Sequence, residues 1–156
     1  MTEFADEYSK PEKLKRVSLY IVAGGIVFIT HQQWVFPFVR WYAETAPCHS
    51  LFGYAGLTVL WFSLFVGLPL ICAFIVGAVA VPLGVKSFAD GQYPPKNHKV
   101  YTPTKILRGR KARAKSLTLL SLPLFFMAIS VWGYLQANQM PQEIPEGFDY
   151  RVCDSA

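Results

Sequence analysis

The chain has 156 residues and a formal net charge of +5, with 53% apolar and 16% charged residues; a soluble domain carries about a quarter charged. The deficit lies in blocks: Asp, Glu, Lys and Arg are absent between Arg16 and Arg40, between Glu44 and Lys86, and between Lys115 and Glu143. Each block exceeds the roughly 20 apolar residues that one membrane helix needs, which argues against a soluble domain. Lipid gives the backbone no hydrogen-bond partners, so only helices or closed barrels cross it, and continuous apolar runs argue against a barrel. The expected fold is an all-α membrane protein with three transmembrane helices.

Segment 1–16 reads as cytoplasmic, with Lys10, Lys13, Lys15 and Arg16 at its membrane edge. Ser9 and Glu12 have the spacing of a capping box, and Pro11 suits a first helical turn. The helix is therefore expected to begin near Lys10 and to enter the membrane as a first span at 17–38. Trp34, Trp41 and Tyr42 form an interfacial belt at its far end, and Pro37 falls near the exit. The long apolar stretch, the acidic residues before it and the lack of a small-x-small site after Thr30 favour an uncleaved anchor over a signal peptide. Loop 39–50 sets Arg40 against Glu44 and reads as external.

The second span, 51–85, is longer than a bilayer requires. A straight helix of that length reaches about 50 Å, against a core of about 30 Å. Either the helix is kinked near Pro69, or the chain reverses at Gly67, Leu68 and Pro69. The next segment, 86–116, decides between them. It holds Lys86, Lys96, Lys99, Lys105, Arg108, Arg110, Lys111, Arg113 and Lys115 against Asp90. So basic a loop belongs in the cytoplasm, and a reversal would place it outside. One long second helix, kinked near Pro69, is the expectation. The third span is 117–136, with Trp132 and Tyr134 at the outer interface. The tail 137–156 bears Glu143, Glu146, Asp149 and Asp154 against Arg151 and reads as external. Pro141, Pro145 and Gly147 should leave it extended or disordered.

The basic loop is the most distinctive candidate for function. Its first part, 91–104, carries Tyr93, Pro94, Pro95, Thr102 and Pro103 and should be extended or turned. Thr104 is the expected N-cap of a helix carrying Arg108, Arg110, Lys111, Arg113 and Lys115 into the third span. These five residues are a candidate docking surface for anionic lipid headgroups or an acidic partner, at about 1 kcal/mol per cation. The plainer reading is that they only set topology. Nucleic acid is disfavoured as a partner, since no known module fits the segment.

His31, Gln32 and Gln33 form the one strongly polar cluster inside a span, which is a functional candidate by default. Successive helical residues face different ways, so all three cannot line one pocket, and a packing or interfacial cluster is the plainer reading. His49, also on the external side, is the residue best placed to join His31 in a metal or haem site; His98 lies on the other side. Cys48 and Cys153 both fall outside, where a disulfide is permitted if their Cα atoms lie within about 7 Å. Cys72 is a mid-span packing residue. Ala73 and Gly77, with Ala78 and Ala80, and Gly24 with Gly25, allow close helix approach within this chain or to another.

No Walker A loop, dinucleotide turn, nucleophile elbow or intramembrane carboxylate pair occurs, and no catalytic, cofactor or metal residue is assigned. The expected function is a multi-pass protein of a bacterial inner or plasma membrane. It would be a non-enzymatic accessory or assembly subunit of a larger complex, packing on its partner through the second span. The alternative is a small oligomeric transporter or channel subunit with His31, Gln32 and Gln33 near its mouth. A third is a membrane enzyme or electron carrier using His31 and His49.

Overall fold

In the computed structural model, which describes residues 3–144 and 146–155, the chain is mostly helical; Pro145 lies outside the described residues. Three of its helices are long and apolar enough to cross a membrane: α1 (Lys10–Cys48), α2 (Gly56–Asp90) and α3 (Arg110–Ala137).

Helix α1 starts where the capping box places it. The Ser9 amide donates to Glu12 Oε2 at 2.9 Å, and the Glu12 amide donates to Ser9 Oγ at 3.4 Å. Two of the first turn's unpaired donors are thus satisfied reciprocally. The helix does not end at residue 38. It continues through most of the segment read as loop 39–50, to Thr45 and a closing 3₁₀ turn at Ala46–Cys48. An Arg40–Glu44 pair at 3.0 Å, one turn apart, supports the added turns.

A hairpin follows, with β1 (Ser50–Leu51) antiparallel to β2 (Tyr54–Ala55). Phe52 and Gly53 turn the chain with φ of 51° and 84°, the left-handed pair that suits the twist of a two-residue hairpin. This turn moves the start of the second helix from Leu51 to Gly56. The start is tight. A Cβ at Gly56 would overlap the Ala46 carbonyl oxygen, and the Gly56 amide donates to His49 O at 2.8 Å. Helix α2 passes Pro69 as a single helix, without reversal, and is irregular at a π turn, Ser63–Gly67. Gly91, with φ of 64°, ends it.

Between α2 and α3, β3 (Gln92–Tyr93) pairs antiparallel with β4 (Leu107–Arg108). That pairing takes up the residues expected to form the first turns of the third helix. Thr104 is therefore not an N-cap; its hydroxyl donates to Thr102 O at 2.8 Å. Helix α3 begins at Arg110, after Gly109 at φ 64°. The tail is not wholly extended, since Tyr150–Ser155 forms a 3₁₀ helix.

The chain divides into two compact units, Met1–Ala23 with Ile71–Met127, and Gly24–Leu70 with Ala128–Ala156. In the first unit the buried helical positions are small: Ala73, Ala80, Gly84 and Ser87 on α2, and Ala112, Ser116 and Pro123 on α3. They are spaced by seven, four and three residues on α2 and by four and seven on α3, a seam of coiled-coil spacing. A Cβ at Gly84 would lie 3.2 Å from the Ser116 carbonyl oxygen, and one at Gly77 would lie 3.5 Å from Pro123 Cβ. Ala78, by contrast, is exposed. In the second unit Ser130, Gly133 and Ala137 continue the α3 seam, and Gly133 lies directly on the Phe65 carbonyl of α2. Large apolar side chains such as Phe74, Val79 and Val131 point outward. Small residues inside and bulky ones outside is the packing that lipid favours, because tails solvate Phe and Val while close backbone approach gains dispersion.

Helix α1 takes no part in such a seam. None of Lys10–Thr30 is buried. A Cβ added at Gly24 or Gly25 would meet nothing within 4 Å.

Candidate functional site

The basic segment is not a free cluster of cations. Residues 3–8 run alongside 100–106 as a backbone-paired strap: Ile106 donates to Glu3 O at 3.0 Å, Ala5 to Thr104 O at 2.9 Å, and Val100 to Asp6 O at 2.8 Å. The strap brings carboxylates to the loop. Arg108 pairs with Glu3, and Lys99 Nζ with Glu12 at 3.0 and 3.2 Å. Lys13 pairs with Glu7 at 2.6 Å. Tyr8 sits under Arg16 and Lys99, at 4.5 and 5.7 Å from its ring centroid. The Ser9 amide, with help from Lys99, holds the Glu12 carboxyl down to about 2. Of the five cations proposed for docking, Arg108 is engaged by Glu3, and Lys115 lies 5.9 Å over the Tyr93 ring. Arg110, Lys111 and Arg113 are exposed on the first turn of α3 and have no ion pair among the described residues. The sequence signal for the strap was the acidic set Glu3, Asp6, Glu7 and Glu12, which balances the loop only once the two segments meet.

At the other unit, Cys48 and Cys153 form a disulfide with Cα atoms 5.5 Å apart, closing a separation of 105 residues. Trp61 Nε1 donates to Pro141 O at 3.1 Å, Thr58 to Gln142, and Gln142 Nε2 to Ala137 O at 3.0 Å. Beside these contacts, α2 and α3 flank a groove of about 740 Å³ lined by Thr58, Phe62, Val66 and Tyr134 among others. His49 does not reach toward His31. Its ring stacks on Tyr42 at 5.8 Å, and Nε2 lies 3.0 Å from Thr45 Oγ1. His31 instead lies 6.5 Å from the Phe36 ring. Among the described residues no three His, Cys, Asp or Glu side chains gather where a metal could be held.

The polar cluster His31, Gln32 and Gln33 opens a feature that composition does not reveal. It begins a π turn, His31–Val35, in which the Phe36 amide donates to His31 O. In α2 the Leu68 amide likewise donates to Ser63 O. A proline follows each donor, Pro37 in one helix and Pro69 in the other. The two joints are identical in register. A proline has no amide hydrogen, so the carbonyl four residues before it loses its helical donor, and a π turn with proline is a recurrent site of helix irregularity. The α2 joint is closed by α3: Ser130 Oγ donates to Val66 O at 3.1 Å, and Gly133 lies against Phe65 O. The corresponding carbonyls in α1 belong to Gln33 and Trp34. No described side chain donates to them, and Gln32, Gln33 and Trp34 are all exposed.

No protein-family model matches the chain, and neither a curated protein nor a solved structure is significantly similar to it.

Proposed function

We propose that this chain is a multi-pass protein of a bacterial inner or plasma membrane, acting as a non-enzymatic accessory subunit of a larger membrane complex. One observation carries the reading. Within each unit helices α2 and α3 bury small residues, whereas Lys10–Thr30 of α1 buries nothing. A helix that also carries His31, Gln32 and Gln33 is not built to face lipid alone. Ala73, Gly77 and Ala80 of the second span are taken up within the chain while Ala78 is exposed, so the partner-facing element in this reading is α1 rather than α2. The amino terminus and the basic loop lie in the cytoplasm and the tail outside. The cation-rich loop supports this, and so does the Cys48–Cys153 disulfide, which belongs in an oxidising compartment. Helix α2 bends at Pro69, where the π turn loosens its ladder.

The test replaces the lipid-level residues of α1 with leucine, leaving residues 1–16 and the disulfide intact. Tagged protein is then purified in mild detergent and its native mass measured. The wild-type chain should retain a stoichiometric larger partner and the leucine variant should lose it. A partner retained equally by both would refute the role of α1. A homo-oligomer conducting solute in liposomes would instead support the transporter reading.

A further inference from the structure

We infer that the first turns of α3 hold one anionic phospholipid of the cytoplasmic leaflet, its phosphate among Arg110, Lys111 and Arg113 and one acyl chain along the strip from Ala114 to Ser121. The inference rests on the orientation proposed above and adds a lipid ligand to it; no partner protein is required.

Charge carries the first part. The acidic residues of this unit are Glu3, Asp6, Glu7, Glu12 and Asp90. Glu3 pairs with Arg108, Glu7 with Lys13 and Glu12 with Lys99. Asp90 Oδ2 accepts from the Lys96 amide at 2.7 Å. Arg110, Lys111 and Arg113 are exposed within one turn and have no ion pair among the described residues. Three uncompensated cations this close repel one another, and an anion touching all of them relieves that repulsion. A phosphate suits them, since its oxygens match the arginine fork. Side chains on a helix lean toward its N-terminus. Helix α3 enters its apolar stretch N-terminus first, after Lys115, so the three cations lean out of the hydrocarbon and into the layer where phosphates lie.

The strip below them decides which anion. At about 100° per residue, Arg110, Ala114, Leu117 and Ser121 fall on one face of α3, away from the buried Ala112 and Ser116. The hydroxyls on and beside this face are turned inward: Thr118 Oγ1 donates to Ala114 O at 3.0 Å, and Ser121 Oγ donates to Thr118 O at 2.9 Å. Their hydrogens are satisfied without water, so the strip can lie against hydrocarbon. Leu117 and Phe125 stand exposed along it. From Arg110 to Ser121 the helix rises about 16 Å, deeper than the headgroup layer. A free phosphate would use the cations and leave the strip bare, and a soluble acidic protein cannot follow the strip into hydrocarbon. A phospholipid uses both.

The experiment titrates the full chain, purified in mild detergent, with palmitoyl-oleoyl phosphatidylglycerol or with the phosphatidylcholine of the same chains, and counts bound lipid by native mass spectrometry. Expected is one phosphatidylglycerol retained in preference to phosphatidylcholine. Arg110→Gln and Arg113→Gln should each weaken it about 5-fold, the share of one cation beside anionic lipid. Ser121→Phe fills the strip, leaves every cation in place and should weaken it as well, and excess soluble glycerol phosphate should not displace the lipid. An intact Cys48–Cys153 bond on a non-reducing gel verifies the fold of each variant. Equal retention of the two lipids, or retention indifferent to the arginine variants, would overturn the headgroup seat and leave these cations to topology alone. Displacement by glycerol phosphate, or indifference to Ser121→Phe, would overturn the lipid in favour of a free anion. An acidic protein that excludes the lipid and is released by the arginine variants would overturn it in favour of that partner. Orientation is read separately: Thr102→Cys should resist a membrane-impermeant maleimide in intact cells. Labelling there would overturn the orientation and the leaflet together, whereas each failure above leaves the orientation standing.

Discussion

Substituting Gly133 by alanine tests the packing of α2 on α3 at its tightest point. The new Cβ would overlap the Phe65 carbonyl oxygen and lie 2.8 Å from its carbon and 3.3 Å from Phe65 Cβ. These are mainly backbone atoms beside a proline joint, so no flexible side chain can move away, and α3 must shift. Overpacking of this kind costs about 1–3 kcal/mol. The shift also stretches the Ser130–Val66 bond, worth on average about 0.6 kcal/mol in a membrane protein. The expected loss is about 2–4 kcal/mol, or 30- to 1000-fold in the unfolding constant. Unfolding by SDS in mixed micelles, followed by far-UV circular dichroism, measures it. Gly24→Ala is the internal comparison: its Cβ meets open space, and alanine favours a helix by about 1 kcal/mol. Equal midpoints for Gly133→Ala and wild type, or a Gly24→Ala variant as damaged as Gly133→Ala, would refute the reasoning.

Three further outcomes are expected. Cys153→Ser should cost about 2–4 kcal/mol, a closed loop of this size being strongly constraining, and should expose the tail near Tyr150 to added protease, read as a new band on a gel. Glu12 has its carboxyl held near 2 against an ordinary 4.5, so its contribution is present above pH 4.5 and is lost as pH falls through 2; exchange of the Tyr8 and Val100 amides, corrected for intrinsic rates, should quicken over that window, and a flat profile would contradict the strap. Replacing Arg110, Lys111 and Arg113 together by glutamine should weaken retention of phosphatidylglycerol in native mass spectrometry about 100-fold at about 1 kcal/mol per cation, whereas Arg108→Gln, whose partner is Glu3, should change it far less.

What could be read without coordinates is what depends on composition or on neighbours within one turn. Charge-free blocks predict spans because transfer to lipid is a sum over residues, and Ser9 with Glu12 predicts a helix start because a capping box is closed within four residues. The hairpin turn at Phe52 and Gly53 was not expected, since a phenylalanine at positive φ is uncommon and the segment from Leu51 reads as the start of a span. The helix beginning expected at Thr104 failed because a distant strand, Gln92–Tyr93, claims Leu107–Arg108. Tertiary structure alone decided that Cys48 reaches Cys153, that Glu3 and Glu12 neutralise cations about a hundred residues away, and that α3 closes the joint at Pro69 while the one at Pro37 stays open. The two prolines are alike in sequence; what separates them is whether a second helix brings a hydroxyl and a bare Cα to the turn before the proline, and no local pattern records that distance.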